Sequence, residues 1–401
     1  MKKLCALLFS AAVLLALANG ALAAKIMVVS DIHYMAKELY VDSELFIRAL
    51  RAGDGKYTQH SDELMAALCA QAERVAPDAL IVTGDLTFNG ERASHAALAE
   101  RFGRIEALGV PVWILPGNHD INVRTPRGFS GDGWYYTDAV TPEEFRDIYA
   151  DFTLPPEGNA GLSYAVRVED GPWIAMTDVA FYQGEAQTFG VFTSGHADWL
   201  EGVLSRAGEA GAITATHHGL VEHTAFSREN FLMFGNDAMA DLARRYGVRL
   251  NLSGHIHAQH IAERDGLTDA ALGAFCIWPH RYALVTVGGE GEMTYEALSL
   301  DEDLLPDGFL GESRAWFEGV TRDKTVAAME GLEPGARSVM AEYAVRFNLA
   351  WFTGTYRRDD PSWREDPAYA LWLRHANSTM WRYMKLVMDE AGGDCLYRRW
   401  D

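Results

Sequence analysis

Five short motifs carry residue types that could do chemistry together: SDIH (30–33), TGDL (83–86), PGNHD (116–120), THHG (216–219) and SGHIH (253–257). They supply Asp31, Asp85, Asn118 and four or five ligand histidines from among His33, His119, His217, His218, His255 and His257. In an extended segment alternate side chains share a face, so His255 and His257 can point at one object. Imidazole mixed with carboxylate suits Zn, Mn, Fe or Co, whereas a Mg or Ca site would be dominated by carboxylates and carbonyls. Seven donors exceed what one tetrahedral ion takes. They fit two ions roughly 3.5–4 Å apart sharing a carboxylate, an arrangement that clamps the attacking and leaving oxygens of a displacement at phosphorus. Each motif alone is weak, since a lone GNHD is merely a good turn. The ordered set is what speaks.

The motifs need elements to hold them. Short apolar runs precede them: KIMVVS before Asp31, DALIVTG before Asp85, VPVWILPG before Asn118, AITAT before His217 and VRLNLSG before His255. A sixth run, PWIAMTD, leads to Asp178 without a motif. Runs too short for helices and closed by Gly or polar residues read as buried strands. Helical patterns lie between them at 61–76, 92–109 and 236–247, so the order alternates and predicts an α/β layer architecture. Ligands in such folds gather at the carboxyl ends of strands, where the motifs sit. After residue 272, AFCIW, YALVTVGG and EMTYEALSL read as consecutive antiparallel strands, with GGEGE as a turn. Residues 301–401 change character. DEDLLPDG resembles a linker, and 333–355 and 366–393 are amphipathic helical stretches whose Trp and Tyr stripe reads as core before it reads as a binding platform.

These five motifs, in this order, resemble the calcineurin-like metallophosphoesterase superfamily over roughly residues 25–300. The resemblance implies a four-layer α-β-β-α sandwich core, here with a mostly helical C-terminal extension. It implies that Asp31, His33 and His257 hold one ion, that Asn118, His217 and His255 hold the other, and that Asp85 bridges. His119 would be no ligand but the general acid or transition-state stabiliser, and His218 a candidate substrate contact. Departures narrow the branch. GDLTFNG lacks the Asp-Arg-Gly continuation of phosphoprotein phosphatases, and Phe88 stands where purple acid phosphatases place a tyrosine for ferric iron. HHGL loosens the match to the HHP context of cyclic-nucleotide and glycerophosphodiester enzymes. GNHD also occurs in related DNA-repair nucleases, a branch that the acidic balance disfavours. Inside the domain, His260 and His280 read as structural before they read as substrate contacts. Asp120 could brace His119 or only close its turn. The Gly- and aromatic-rich insert 125–145 is expected to shape substrate access.

At the N-terminus two lysines precede a short apolar stretch that ends in ALA at 21–23, the pattern of a cleaved export signal. Residues 1–23 are therefore expected to leave, placing the mature chain in a periplasmic, cell-surface or extracellular compartment with no transmembrane segment. Loss of Lys2 and Lys3 takes 35 basic residues to 33 against 56 acidic ones, a net charge of −23 instead of −21. Such a surface repels nucleic acid and anionic membranes. Cys5 leaves with the signal, and Cys69, Cys276 and Cys395 form neither a full set of pairs nor a metal cluster. The expected organisation is a signal (1–23), a metallophosphoesterase domain (24–300) and a helical extension (301–401). The expected function is hydrolysis of a small phosphate ester, a diester before a monoester, by in-line attack of a hydroxide between two Mn, Zn or Fe ions, with His119 assisting the leaving group. A phosphomonoesterase with the same metals is the alternative. A silent binding protein is disfavoured because all seven ligand positions are filled.

Overall fold

The computed structural model describes residues 24–156, 158–289, 291–390 and 393–401. The segment read as an export signal, 1–23, lies outside the described residues. The strands are β1 (Ala24–Val29), β2 (Ala79–Val82), β3 (Val112–Ile114), β4 (Arg127–Phe129), β5 (Trp134–Tyr136), β6 (Tyr164–Arg167) and β7 (Trp173–Met176). They continue with β8 (Ala212–Ala215), β9 (Leu250–Ser253), β10 (His260–Arg264), β11 (Leu267–Ala271), β12 (Arg281–Val287), β13 (Met293–Ser299) and β14 (Tyr397–Trp400). Helices of the core are α1 (Glu44–Arg51), α2 (Ser61–Val75), α3 (Arg92–Glu106), α4 (Pro142–Ile148), α5 (Ser194–Ala207), α6 (Ala225–Asn230) and α7 (Asn236–Arg245). Those of the extension are α8 (Phe309–Ala328), α9 (Pro334–Phe352), α10 (Ser362–Glu365), α11 (Pro367–Arg374) and α12 (Thr379–Glu390).

One sheet runs β14-β13-β12-β1-β2-β3 and the other β10-β11-β9-β8-β7-β6. Alternation along the strands explains their stacking. Ile26 and Val28 of β1 pack with Ile174, Ile213 and Leu252 of the second sheet. The intervening Met27 and Val29 face Leu64, Leu68, Leu98 and Phe102 on α2 and α3. On the far side Ala165 and Ala175 meet Leu200, Val203, Met239 and Leu242 of α5 and α7. Both faces of each central strand are therefore buried, the condition that makes near-continuous apolar runs. The result is the four-layer α-β-β-α sandwich, with helices α8 to α12 added beyond it.

Three details differ from the sequence expectation. AFCIW (274–278) is a turn and not a strand. Its backbone is spent elsewhere: Phe275 N–H donates to Ser30 O at 2.9 Å and Cys276 N–H to Asp31 O at 3.4 Å, fastening it to the first motif. Burial of Phe275, Cys276 and Ile277 in that turn produced the apolar run. The hairpin β10–β11 went unread because its strands are polar, HIAER and LTDAA. The C-terminal segment ends in strand β14, antiparallel to β13 with Met293 opposite Trp400. The remaining cysteines are free, and no helix among the described residues is long and apolar enough to cross a membrane.

Candidate metal centre

All five motifs leave the carboxyl ends of β1, β2, β3, β8 and β9, so the two sheets converge on one rim. To turn inward there, Asp31, His33, Asp85, His255 and His257 adopt positive φ, between 44° and 67°. Left-handed backbone in non-glycine residues costs of order 1–3 kcal/mol each and concentrates at functional sites. Two glycines permit the approach. A Cβ on Gly254 would lie 1.9 Å from Ser30 Oγ and 2.4 Å from Asp31 Oδ2, and Gly84, at φ +99°, would place one 2.7 Å from His217 Nδ1.

The donor atoms form two groups that share one residue. Asp31, His33, Asp85 and His257 make the first, and Asp85, His217 and His255 the second, each spanning no more than 4.8 Å. His257 Nε2 lies 3.2 Å from Asp31 Oδ1 and 3.2 Å from His33 Nε2. Asp85 reaches both ways: Oδ2 is 3.5 Å from His33 Nε2 and Oδ1 is 3.3 Å from His217 Nε2. Asn118 joins the second group, with Oδ1 3.2 Å from His217 Nε2. Buried Asp85 Oδ2 and His255 Nε2 have no hydrogen-bond partner. Such orphan atoms are costly unless something cationic meets them. With three imidazole nitrogens or more and a shared carboxylate, the residues fit a dinuclear transition-metal centre.

Charges inside the cluster pull on each other. Burial disfavours charge on His217, yet Asp85 and then Asp31 lift it to about 9. Burial likewise opposes charge on His257, but Asp54 and Asp31 raise it to about 10. Burial, and next Lys56, hold His33 well below the usual imidazole range. The carboxylates of Asp31, Asp54 and Asp85 thus favour positive charge at His217 and His257, while burial keeps His33 and His255 low.

Orientation comes from outside the ligands, a device typical of histidine sites. His217 Nδ1–H donates to Thr83 O at 2.8 Å, leaving Nε2 for the centre. His257 Nδ1–H donates to Asp54. Asp54 was not foreseen: it sits in AGDGK with no strand or motif around it. His119 lies among the ligands, its N–H donating to Asp85 Oδ1 at 2.9 Å and its ring edge-on to His33 at 5.0 Å. Asn89, also unforeseen, gives its Nδ2–H to Thr125 O at 2.8 Å and therefore accepts from His119 Nδ1–H at 3.2 Å. That leaves His119 Nε2 for the cavity, and burial, against the pull of Asp85, holds the ring down to about 4.

Other nominated residues serve structure. His218 is fully buried, with Nε2–H donating to Thr188 O at 3.1 Å and its ring 4.3 Å from that of His255. Asp120 closes its turn and ties two motifs together, accepting from Gly117 N–H (2.7 Å), Leu86 N–H (3.1 Å) and Thr87 N–H (3.0 Å). His280 is held between Phe275 O and Ser313 Oγ, and His260 pairs with His223 at 2.9 Å. Asp178 accepts from Tyr182 and Leu162 away from the cluster. Within the insert, β4 and β5 make a two-stranded ribbon exposing Trp134 and Tyr136. Thr125, just before the ribbon, reaches toward the site through Asn89.

Fold and site together define a metallophosphoesterase whose clustered donors fit two metal ions. Residues 24–259 match the model of the calcineurin-like phosphoesterase family, and the chain belongs to that family. A curated relative from Arcobacter nitrofigilis, named "Probable glycerophosphodiester phosphodiesterase GpdQ", is 27% identical over 186 residues, 45% of this chain and 57% of that protein. The chain thus spans little more than half of that relative's length. Among solved structures, a dimetal phosphatase from Danio rerio superposes with a TM-score of 0.51 at 14% identity, over 70% of this chain and 97% of that one, a likeness of fold.

Proposed function

We propose that this chain is an exported phosphodiesterase using two divalent transition ions, Mn, Zn or Fe. The observation that carries the reading is Asp85, buried between two histidine groups and facing both. When bound, such ions supply Lewis acidity at phosphorus and an activated water. Asp31, His33 and His257 would hold one, and Asn118, His217 and His255 the other. The chain's own contribution beyond the ligands is His119. Asn89 keeps a proton on Nδ1, so Nε2 faces the cavity that Asp85, Asn118 and His119 line. An arriving phosphate anion favours the protonated ring, which then donates to the departing oxygen. Support for a diester comes from the name of the curated relative, and support for export from the basic start, apolar stretch and ALA site of residues 1–23. The test is hydrolysis of bis-p-nitrophenyl phosphate against p-nitrophenyl phosphate by the metal-loaded chain. A kcat/KM favouring the diester is expected, and preference for the monoester would overturn the reading.

A further inference from the structure

A cavity of about 350 Å³ opens beside the metal centre, walled on one side by Phe226, Phe231 and the His255–His257 loop and on the other by α8, α9 and α12. It shares Phe226, Phe231, His255 and His257 with the smaller cavity lined by Asp85, Asn118 and His119. The two therefore adjoin at the metal centre, so that a phosphorus seated in the smaller one lies beside the larger. We infer that this second cavity receives an apolar, aromatic-sized ester group of the substrate, so that the helical extension selects the diester; the inference rests on the phosphodiesterase reading.

The lining argues for that group. Trp351, Phe352, Met380 and Tyr383 come from the extension and face Phe226 and Phe231 across the space, with Phe226 and Tyr383 edge-on at 5.0 Å. The polar groups at its back are spent on each other: Tyr383 O–H donates to Asn348 Oδ1 at 3.1 Å, and Asn348 Nδ2–H to Thr321 Oγ1 at 3.4 Å. At this back wall a glycerol-like group would find the polar groups already paired, which is costly for its hydroxyls. Aromatic walls also suit a quaternary ammonium, but the exposed side chain of Lys324 stands in the lining with an ammonium that repels one. Asp54, the carboxylate in the wall, is committed to His257. A neutral aromatic group meets neither objection, and the volume falls within the usual range for small-molecule sites.

The test varies the spectator ester while keeping one leaving group. Methyl, phenyl and choline esters of p-nitrophenyl phosphate are given to the metal-loaded full chain and to Met380→Trp, which fills the cavity from α12. Burying a phenyl-sized group is worth roughly 10–100-fold, so the phenyl ester should exceed the methyl ester by that factor in kcat/KM. The choline ester should gain nothing over methyl, and Met380→Trp, checked for metal content and Tm, should bring the phenyl-to-methyl ratio close to one. A wild-type ratio near one, a preferred choline ester, or a ratio that survives in folded Met380→Trp would each overturn the assignment. If no ester is hydrolysed, the phosphodiesterase reading fails separately. Calorimetric Kd values for the phenyl and methyl esters, in both proteins, then decide the cavity by the same ratio.

Discussion

Glu91 offers a quantitative test of the architecture behind His119. It is fully buried, accepts Asn89 N–H on Oε2 at 3.0 Å, and leaves Oε1 without a partner. Burial pushes its carboxyl up from 4.5 to about 7. The folded chain therefore holds this proton more tightly than the unfolded chain. The stabilisation is complete below pH 4.5 and is lost as pH rises toward 7. At about 1.36 kcal/mol per pKa unit, the loss between pH 5 and pH 8 amounts to about 2–3 kcal/mol. Glu91→Gln keeps an acceptor for Asn89 but has no proton to lose. Urea denaturation of the chelator-treated proteins at the two pH values, taken as a difference between wild type and variant, cancels other titrating groups. Wild type should lose about 2–3 kcal/mol more than Glu91→Gln on going from pH 5 to 8. Equal pH dependence in the two proteins would refute the argument that burial controls this carboxyl.

Four further outcomes follow from the site. Asp54→Ala should weaken metal binding at the Asp31–His33–His257 group by about 10–100-fold, read as a change in one step of a two-step calorimetric titration; unchanged steps would remove Asp54 from the site. Asp85→Asn should weaken both steps and lower the metal-dependent gain in Tm, since ions bound only by the folded chain stabilise it. His119→Ala should retain its metals, lose modest rate on p-nitrophenyl esters, and lose about 10²–10⁴-fold on alkyl phosphodiesters; a uniform loss across leaving groups would point to electrostatic stabilisation instead. Gly254→Ala, whose methyl would collide with Asp31 and Ser30, should fold with reduced metal content by elemental analysis, and full metal content would show that the two loops can move apart.

What the sequence revealed and what it hid have physical causes. Asp31, Asp85, Asn118, His217 and His255 follow apolar strands within a few residues, so pattern and chemistry lie side by side in the chain. The alternation of Ile26 and Val28 against Met27 and Val29 makes the layering readable for the same reason. Asp54 and Asn89 act across space, one from a loop after α1 and the other through a side-chain amide, and neither contact has a local spacing. AFCIW was misread because a turn buried on all sides is as apolar as a strand. The aromatic stripe of the extension divides by face: Trp372 and Trp381 stack at 6.2 Å within the extension's own core, while Trp351 and Tyr383 line the cavity. Helical periodicity shows that such faces exist but not which of them meets a metal centre whose last ligand, His257, comes far earlier in the chain.

The pairing of β14 with β13 makes the extension something other than a tail. Residues 300–396 are, in topology, the loop of a single β-hairpin, leaving the sheet after Ser299 and rejoining it at Tyr397 opposite Glu296. Its two ends therefore lie on neighbouring strands of one sheet. Phe309 packs into the core beside α2 and Phe317 onto the 274–277 turn, so the extension is held in place and the cavity behaves as a fixed window onto the metals. It also behaves as a cassette. Because the cost of closing a loop grows only slowly with its length, the hairpin should accept a shorter or a foreign insert, exchanging the window while the metal centre stays on its own strands.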